Sequence, residues 1–329
     1  MTHQELLQNM LSGWEKYYQS VMNGDFSAVC WKEGHHETYG TYDIQHTERL
    51  RLCYYILYYH KKVPEEILVR LFEEECQNLE TNSFQGFGDA IKILTVLLSV
   101  SENHHPELWK RAKNANFDCY CGYECETDLF RRTMKELPDF DAECCLRLAY
   151  DTNESEYALQ FLDMLKSEYV IKDKSDCRHL IWWNTQLGKT ADNELLLRKK
   201  LEFSLAENNQ DEIISAYYDL FKFFTEQKNF SRAYQEFETL SGMDLSGWYG
   251  VNLFRFILES SLDLINADIP ETAKIWKWAE PHIKREIKNS GMYGNLYIKT
   301  IQASEKMNPD FARKVRKQYE IWKKRNKIS

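Results

Sequence analysis

Apolar residues recur at the three- and four-residue spacing of a helix along almost the whole chain. In residues 4–22, for example, leucine, methionine and aromatic side chains fall on one helical face. The two-residue alternation of a half-buried strand never continues for long. Only 13 Gly and 6 Pro occur among 329 residues, and tight turns between strands need those residue types. The sequence therefore predicts an all-α protein, with about sixteen helices joined by short polar segments.

Local signals place several helix boundaries. We expect a single helix over residues 4–22 and a polar, irregular segment over residues 25–46. Thr47 has the position of an N-cap for the next helix, and Pro64 suits the first turn of the helix after it. Two further helix pairs are predicted, DAIKILTVLLSV with PELWKRAKNA and TDLFRRTMKEL with DAECCLRLAYD.

The second half of the chain contains a repeat of about forty residues. Three alanines, 40 and 39 residues apart and each near the start of a predicted helix, are Ala233, Ala273 and Ala312. The helix before each alanine carries an aromatic residue at a similar interval, namely Tyr217, Phe256 and Tyr297. Two antiparallel helices repeated at such a period are typical of a solenoid, in which each pair buries its apolar face against the next.

One of these units resembles the tetratricopeptide repeat (TPR). In that family, Trp, Leu-Gly, Tyr, Ala, Phe, Ala and Pro occupy fixed offsets across two helices. The matching positions, within about residues 214–247, are Tyr217, Leu220, Phe221, Phe224, Ala233, Phe237, Leu240 and Leu245. Phe221, Leu240 and Leu245 replace the family's Gly, second Ala and Pro. The resemblance implies a scaffold that presents a surface to another polypeptide, and it implies no catalysis.

Together these patterns predict antiparallel helix pairs stacked as a TPR-like or HEAT-like α-solenoid. The loose periodicity runs from about residue 175 to about residue 325. We therefore divide the chain into a helical N-terminal region, residues 1–150, and TPR-like helical repeats, residues 151–329.

The charge distribution limits the classes of partner. The formal net charge of −9 argues against a general affinity for nucleic acid or for anionic membranes. Lys306–Lys327 contains nine Lys/Arg and two acidic residues, so this segment carries +7 and the rest of the chain −16. The first residues do not resemble a secretion signal, and the longest apolar-rich segment, residues 91–100, is too short for a membrane span. We therefore expect a cytoplasmic protein whose nine cysteines are reduced thiols.

The stretch FDCYCGYEC, residues 117–125, raises the question of a metal or redox site. A structural zinc ion needs four Cys or His ligands, usually in two close pairs. The residues of this region with suitable side chains are Cys119, Cys121, Cys125, His104, His105, Cys144 and Cys145. Their spacing is not a usual zinc spacing, and no Cys-x-x-Cys redox motif is present. We predict packed thiols without a metal or other cofactor, and the alternative is a metal-dependent protein or metalloenzyme with a Cys/His site in residues 104–145.

Other chemical motifs carry little signal. His35 and His36, near Cys30 and His46, lack a repeated ligand spacing and would point in different directions on any regular element, so we interpret them as solvated loop residues. The three glutamates of FEEEC, residues 72–76, are expected to form a solvated helix face. The chain has no phosphate loop, Gly-x-Ser-x-Gly elbow or His-Glu-x-x-His helix, and we expect no enzymatic activity.

The remaining prediction is an interaction function. We expect a cytosolic module that binds a protein or peptide, and the acidic chain suits a basic partner. A bacterial inhibitor or immunity protein that neutralises a basic toxin is one version, and a peptide-sensing regulator is another. In the unit that resembles the TPR, the resemblance places Tyr218 and Lys222 on the concave side of the first helix. We predict that these two residues bind the partner, whereas aromatic pairs such as Trp182-Trp183 contribute one ring to the core and one to a neighbouring helix.

Overall fold

The computed structural model describes residues 2–38, 40–82, 87–100, 105–123, 140–250 and 253–327. These residues form eighteen α-helices, one short 3₁₀-helix and one two-stranded hairpin, so the predicted helical class is confirmed. The chain divides into two compact units, Met1–Tyr169 and Val170–Ser329. The helix predicted in TDLFRRTMKEL lies outside the described residues. Within the described part, no helix combines the length and the apolar composition that crossing a lipid bilayer requires.

The first unit contains nine of the described helices and the hairpin. In chain order its elements are α1 (His3–Ser12), α2 (Glu15–Met22), β1 (Glu33–His36), β2 (Gly40–Asp43), α3 (His46–Tyr58), α4 (Glu65–Thr81), α5 (Asp89–Ser99), α6 (Pro106–Lys113), α7 (Phe117–Gly122), α8 (Ala142–Asp151) and α9 (Ser155–Glu168). Helix α1 packs against α8 and α9, and α3 packs against α2, α4 and α5. Helix α9, which the sequence assigned to the second region, packs against α8 in this unit.

The single helix expected over residues 4–22 is two helices in the structure. Helix α1 begins with a capping box, in which the Thr2 and Glu5 side chains each bond the other residue's backbone N–H. It ends at Gly13, a residue type with a low helix propensity, and α2 starts two residues later. Between the two helices the indole Nε1 of Trp14 donates to Glu154 Oε1 at 3.0 Å. The break therefore lets a buried tryptophan satisfy its polar atom in a neighbouring element.

The segment expected to be irregular, residues 25–46, contains the hairpin. Strands β1 and β2 pair antiparallel, and β2 begins at Gly40, whose φ of +77° would strain a residue with a side chain. Asp43 holds the end of β2, because its Oδ1 accepts from Lys32 N at 3.0 Å and from Gln45 N at 2.9 Å. Helix α3 consequently begins at His46, and the prediction of Thr47 as its N-cap is wrong.

The second unit contains the other nine described helices. In chain order they are α10 (Lys174–Gln186), α11 (Asn193–Glu207), α12 (Gln210–Glu226), α13 (Phe230–Ser241), α14 (Ser246–Gly250), α15 (Phe254–Asn266), α16 (Thr272–Lys288), α17 (Gly294–Met307) and α18 (Pro309–Arg325), with a 3₁₀-helix at Thr190–Asp192. Sequential helices pack as pairs, α10 with α11, α12 with α13, α15 with α16 and α17 with α18. The first helices of neighbouring pairs also pack together, α12 with α15 and α15 with α17.

The positions that resemble the TPR lie in the core of this unit, with one exception. Seven of them are buried, namely Leu220, Phe221, Phe224, Ala233, Phe237, Leu240 and Leu245, and Tyr217 is half-buried against the same core. Burying a phenylalanine stabilises a fold by about 3–5 kcal/mol relative to alanine, so Phe221 and Phe224 contribute strongly to this unit.

The three equally spaced alanines do not share one packing position. Ala233 and Ala312 are buried, and each is the fourth residue of its helix. Ala273 is the second residue of α16 and is exposed. Two positions correspond to about 200° around a helix, which accounts for the different direction of its side chain. The aromatic residues differ as well, since Tyr297 is buried and Phe256 is exposed.

Candidate functional site

The second unit contains an open cleft of about 590 Å³, formed by α10, the 3₁₀-helix, α11 and α12. The residues that line it are Arg178, Ile181, Trp182, Thr185, Thr190, Asn193, Leu197, Lys200, Asp219, Lys222, Phe223, Glu226 and Gln227. Pockets of this size are within the range that holds a small molecule or the side chains of a peptide. The cleft is therefore the first candidate for a binding site.

Helical spacing brings the lining residues to the cleft. On α12, Lys222 and Phe223 lie three and four residues after Asp219, and Glu226 lies four and three residues after them, so the four residues share one face of the helix. Helix α12 begins where the Asn209 side chain accepts from the backbone N–H groups of two residues of its first turn. These caps and spacings are local properties of the sequence, whereas the cleft needs all three helices.

Hydrogen bonds connect the walls of the cleft at two places. The buried Asn193 at the start of α11 accepts from Asn184 Nδ2 at 2.8 Å and donates to Thr185 Oγ1 at 3.3 Å. At the end of α12, Gln227 Nε2 donates to Thr190 Oγ1 at 3.4 Å. These bonds link α11 to α10 and α12 to the 3₁₀-helix, which favours a preformed cleft.

Two aromatic rings provide the apolar surface of the cleft. Trp182 is 48% exposed, and its ring centroid lies 4.6 Å from that of Trp183, which is buried. Phe223 is half-buried, with its centroid 5.2 Å from that of the buried Phe224. In each case a buried neighbour holds an accessible ring in place. The prediction of one core ring holds for Trp183, whereas Trp182, which was expected to cover a neighbouring helix, is half exposed in the cleft.

The charged residues of the cleft are of two kinds. Lys200 is buried and its ammonium group pairs with the Asp219 carboxylate, which joins α11 to α12. Lys222 and Glu226 form an exposed pair, with Nζ and Oε1 3.7 Å apart and side chains 54% and 63% exposed. An exposed pair of this geometry contributes between about 0 and 1 kcal/mol. Lys222 and Glu226 can therefore exchange their contact for one with a ligand at little cost.

The two residues predicted to bind a partner have different environments. Lys222 lies in the cleft and is exposed. Tyr218 is half-buried and is not among the lining residues; its ring packs edge-on to the buried Trp248, with centroids 6.0 Å apart. Burial raises the pKa of the Tyr218 hydroxyl to about 12, although a hydrogen bond with Ser260 opposes this shift. Tyr218 thus has a packing role that the sequence did not indicate, and its binding role stays a prediction.

The cysteine-rich region is described only in part, because Cys125 and His104 lie outside the described residues. Cys119 is buried in α7, Cys121 is exposed, and Cys145 is buried with its Sγ 3.3 Å from Phe140 O. Burial raises the thiol pKa of Cys119 and Cys144 to about 11 and that of Cys145 to about 12. His105 Nε2 lies 3.0 Å from Glu65 Oε1. Among the residues with described positions, no three His, Cys, Asp or Glu side chains are arranged to hold a metal ion.

The histidines near the N-terminus also occupy separate environments. His35 and His36 are adjacent exposed residues of β1, and the Nδ1 atom of His36 accepts from Thr38 N at 3.1 Å. Cys30 is half-buried, and its Sγ is 3.5 Å from an Arg70 nitrogen. His46 lies at the start of α3, where its Nδ1 is 3.4 Å from Glu75 Oε2. The histidines of β1 are therefore strand residues, although they are exposed as predicted.

A buried ionic network in the first unit was missed by the sequence analysis. The Arg49 side chain is fully buried, and it donates to Glu75 Oε2 at 2.8 Å, to Asp43 Oδ2 at 2.6 Å and to Val29 O at 3.0 Å. Glu75 is one of the three glutamates expected on a solvated face, and that expectation is wrong for this residue. Burial by itself would raise the Glu75 pKa, but the charges of Arg49 and His46 lower it to about 2.

The network has a structural function in this arrangement. Asp43 ends β2, Arg49 belongs to α3 and Glu75 belongs to α4, so the three side chains join the hairpin to two helices. Burial alone would lower the pKa of His46, yet the charge of the neighbouring Glu75 raises it, so Glu75 favours the protonated imidazole. The sequence carries no distinct signal for this network, because Arg49 stands between Glu48 and Leu50 in a charged first part of α3 that looks like an ordinary solvated helix start.

No protein-family model, no curated protein and no solved structure matches this chain. The resemblance to the TPR therefore depends on the residues of one unit, from about 214 to 247, and it stays a prediction.

Proposed function

We propose that this protein is a non-enzymatic cytosolic interaction protein, in which helix pairs stack as an α-solenoid and the cleft around Trp182 binds a peptide segment of a partner. The pairwise packing of α10–α13 and α15–α18 supports the stacked arrangement. The contacts of α12 with α15 and of α15 with α17 support it further, because first helices of neighbouring pairs are adjacent in a solenoid.

Ion pairs between helix pairs also support this proposal. Four of them join residues 34–38 positions apart, namely Arg178 with Glu212 at 3.2 Å, Arg232 with Glu194 at 2.7 Å, Lys274 with Glu238 at 2.5 Å and Lys299 with Asp263 at 2.8 Å. Such a constant separation is expected when corresponding parts of successive repeats lie side by side.

The observation that carries the peptide-binding proposal is the exposure of Trp182 in the cleft. A tryptophan with about half of its surface exposed, fixed by a buried neighbouring ring, is a favourable anchor for a partner, and tryptophan is enriched among residues that dominate binding energy. Phe223 adds a second apolar contact. We therefore expect the peptide to insert one apolar side chain between these rings.

The rim of the cleft supplies polar contacts to the peptide backbone and termini. Lys222 and Glu226 are exposed and weakly paired, so Lys222 can donate a hydrogen bond to a bound chain and Glu226 can accept one from it. The chain's net charge of −9 accelerates the approach of a basic partner, because long-range attraction acts before contact. A basic protein segment with one apolar side chain is the partner that this combination suits best.

The test uses selection of peptides on the full-length protein. Random 12-residue peptides are displayed and selected on the immobilised chain, and the enriched peptides are then synthesised and measured by calorimetry. We expect the double variant Trp182→Ala/Lys222→Ala to weaken binding at least about tenfold, since loss of hot-spot contacts costs more than about 1 kcal/mol.

A matched control separates binding from general surface effects. Phe117 is an exposed aromatic residue of α7 and Lys277 an exposed lysine of α16, both outside the cleft. Phe117→Ala/Lys277→Ala should bind the selected peptides as the wild type does. Enriched peptides that bind the Trp182/Lys222 variant with unchanged affinity would refute the proposed site, and a failure of any peptide to enrich would refute the proposed function.

A further inference from the structure

The last helix of the second unit carries a separate, strongly basic surface. Helix α18 contains most of the nine Lys/Arg found in residues 306–327, in a chain whose other residues sum to −16. Three of its cations form close pairs with carboxylates, namely Arg313 with Asp310, Arg316 with Glu305 and Lys323 with Glu320. In the described part of the chain, no carboxylate lies within ion-pair distance of Lys314, Lys317 or Lys324, which are all exposed.

These three lysines form one stripe along the helix. Lys314, Lys317, Ile321 and Lys324 are separated by three, four and three residues, which places them within about 80° around the helix axis. Ile321 interrupts the charges and is 59% exposed. The opposite side of the helix is buried, where Phe311 and Val315 enter the core of the unit. The basic stripe is thus a surface that the fold of the unit does not use.

A cleft of about 350 Å³ borders this stripe. It is lined by Ile287, Ser290, Met292, Tyr297, Gln318, Ile321, Trp322, Arg325 and Asn326, and it shares no residue with the cleft around Trp182. Trp322 approaches α17 closely at Gly294, where a Cβ atom would lie 3.2 Å from the indole ring. The indole therefore forms a fixed wall. Ile321 and Arg325 lie at the edge between this wall and the stripe.

The combination of a cation stripe and a cleft with a mixed lining limits the chemistry of the ligand, because Ile321 and Trp322 add apolar surface beside polar groups such as those of Gln318 and Asn326. A phosphate backbone would satisfy the lysines but would leave the cleft empty. The aromatic rings here cannot stack on bases, because Tyr297, Tyr319 and Trp322 pack on one another at centroid distances of 5.4–6.0 Å. A lipid surface needs an exposed apolar helix face, and the described part of α18 offers only Ile321 as a strongly exposed apolar side chain.

We propose that the stripe of Lys314, Lys317 and Lys324, together with the adjoining cleft, binds an acidic protein segment that inserts one apolar side chain beside Ile321 and Trp322. Carboxylates at helical or extended spacing pair with the lysines, and the apolar residue packs on Ile321 and Trp322 at the edge of the cleft. This surface is independent of the peptide site around Trp182, and it gives the protein a second partner of opposite charge.

Peptides of graded composition test this assignment. Synthetic 12-residue peptides with zero, two, four or six glutamates, and with either leucine or alanine at the centre, are titrated by fluorescence polarisation against the full-length protein. We expect affinity to rise at least about tenfold from zero to six glutamates and about threefold or more from alanine to leucine. Raising the salt concentration should weaken binding of the six-glutamate peptide, because salt screens ion pairs that are exposed to solvent.

Two variants locate the site. The triple variant Lys314→Glu/Lys317→Glu/Lys324→Glu should weaken binding of the six-glutamate peptide about tenfold or more. Ile321→Ser should remove the preference for leucine over alanine at the centre of the peptide. The control Lys110→Glu/Lys172→Glu/Lys277→Glu has the same change in net charge at exposed lysines elsewhere, and it should change affinity by less than about twofold. The Trp182→Ala/Lys222→Ala variant should bind these acidic peptides with wild-type affinity. A result that refutes the basic surface is therefore distinguishable from one that refutes the peptide site around Trp182.

Three results would overturn the proposal. The first is an affinity that does not depend on glutamate number, and the second is an equal loss in the control triple variant. The third is tighter binding of a single-stranded oligonucleotide of equal charge, or of phosphatidylserine vesicles, than of the six-glutamate leucine peptide.

Discussion

Replacing Arg49 with methionine should destabilise the first unit far more than replacing an exposed arginine. Arg49 is fully buried and forms hydrogen bonds to two carboxylates and one backbone carbonyl. Methionine fills much of the same volume but leaves Asp43 and Glu75 buried without this cation. Breaking a buried ion pair by removing one partner typically costs about 3–5 kcal/mol. That is a large part of the roughly 5–15 kcal/mol that stabilises a domain.

The pH dependence identifies the electrostatic origin of this loss. In the wild type the pKa of Glu75 is lowered from 4.5 to about 2, so the stabilisation is complete above about pH 4.5 and disappears as the pH falls towards 2. In Arg49→Met the buried Glu75 carboxylate lacks this cation, and its pKa rises because burial then dominates. The unfolded state then ionises first, and stability falls as the pH rises above about 4. The difference between the two proteins should therefore be largest near neutral pH and shrink on acidification.

Urea unfolding followed by far-ultraviolet circular dichroism, at pH 7 and at about pH 4, measures this difference. Arg70→Met is the matched control, because Arg70 lies in α4 of the same unit and its side chain is 49% exposed. This substitution should lower the free energy of unfolding by less than about 1 kcal/mol. Adding Glu75→Gln to Arg49→Met should restore part of the stability. If Arg49→Met lowers the free energy of unfolding by less than about 1 kcal/mol at pH 7, or by the same amount at both pH values, the electrostatic explanation is refuted.

Further expectations concern single side chains of the second unit and the cysteine-rich stretch. Tyr218→Ala should lower the free energy of unfolding by about 2 kcal/mol, because the Tyr218 ring packs on Trp248. Lys222→Ala should change it by less than about 0.5 kcal/mol, because this side chain is exposed. Equal effects of the two variants in urea unfolding would contradict the different burial of the two side chains. Ala233→Leu should lower the free energy of unfolding by about 1–3 kcal/mol, because the larger side chain overpacks the core, whereas Ala273→Leu should leave it nearly unchanged. Thermal unfolding of both variants measures this difference, and equal melting temperatures would contradict the different burial of the two alanines. If the thiols of residues 117–125 are packing residues, EDTA should leave the melting temperature unchanged, and a large decrease reversed by zinc would establish the metal-dependent alternative.

The sequence by itself determined the helical class and the position of most helices. Helix formation depends on spacing, capping and the scarcity of Gly and Pro, which are all short-range properties. Asp173 and Asp176, for example, form the capping box of α10 within four residues of one another. Local patterns were sufficient for these features because each helix repeats the same geometry every 3.6 residues.

Local patterns failed where a distant partner decides the conformation. The hairpin of residues 33–43 has short polar strands, and it is held by Asp43 through contacts with Arg49 and the start of α3. Glu75 belongs to a run of glutamates that is solvated in most helices, but its position opposite Arg49 buries it. The sequence gives residue types and spacing, and neither specifies which of three adjacent carboxylates faces an arginine 26 residues away.

The candidate site needed tertiary structure for the same reason. The sequence indicated an aromatic pair at Trp182-Trp183 and an exposed Lys222, but Arg178 and Gln227 come from different helices, and the cleft exists only where α10, α11 and α12 pack. The resemblance to the TPR placed Tyr218 on a binding face, yet its ring is half-buried against the neighbouring Trp248. Helical periodicity determines the direction of a side chain on its own helix, and the packing of neighbouring helices determines whether that direction leads to solvent, to a cleft or to the core.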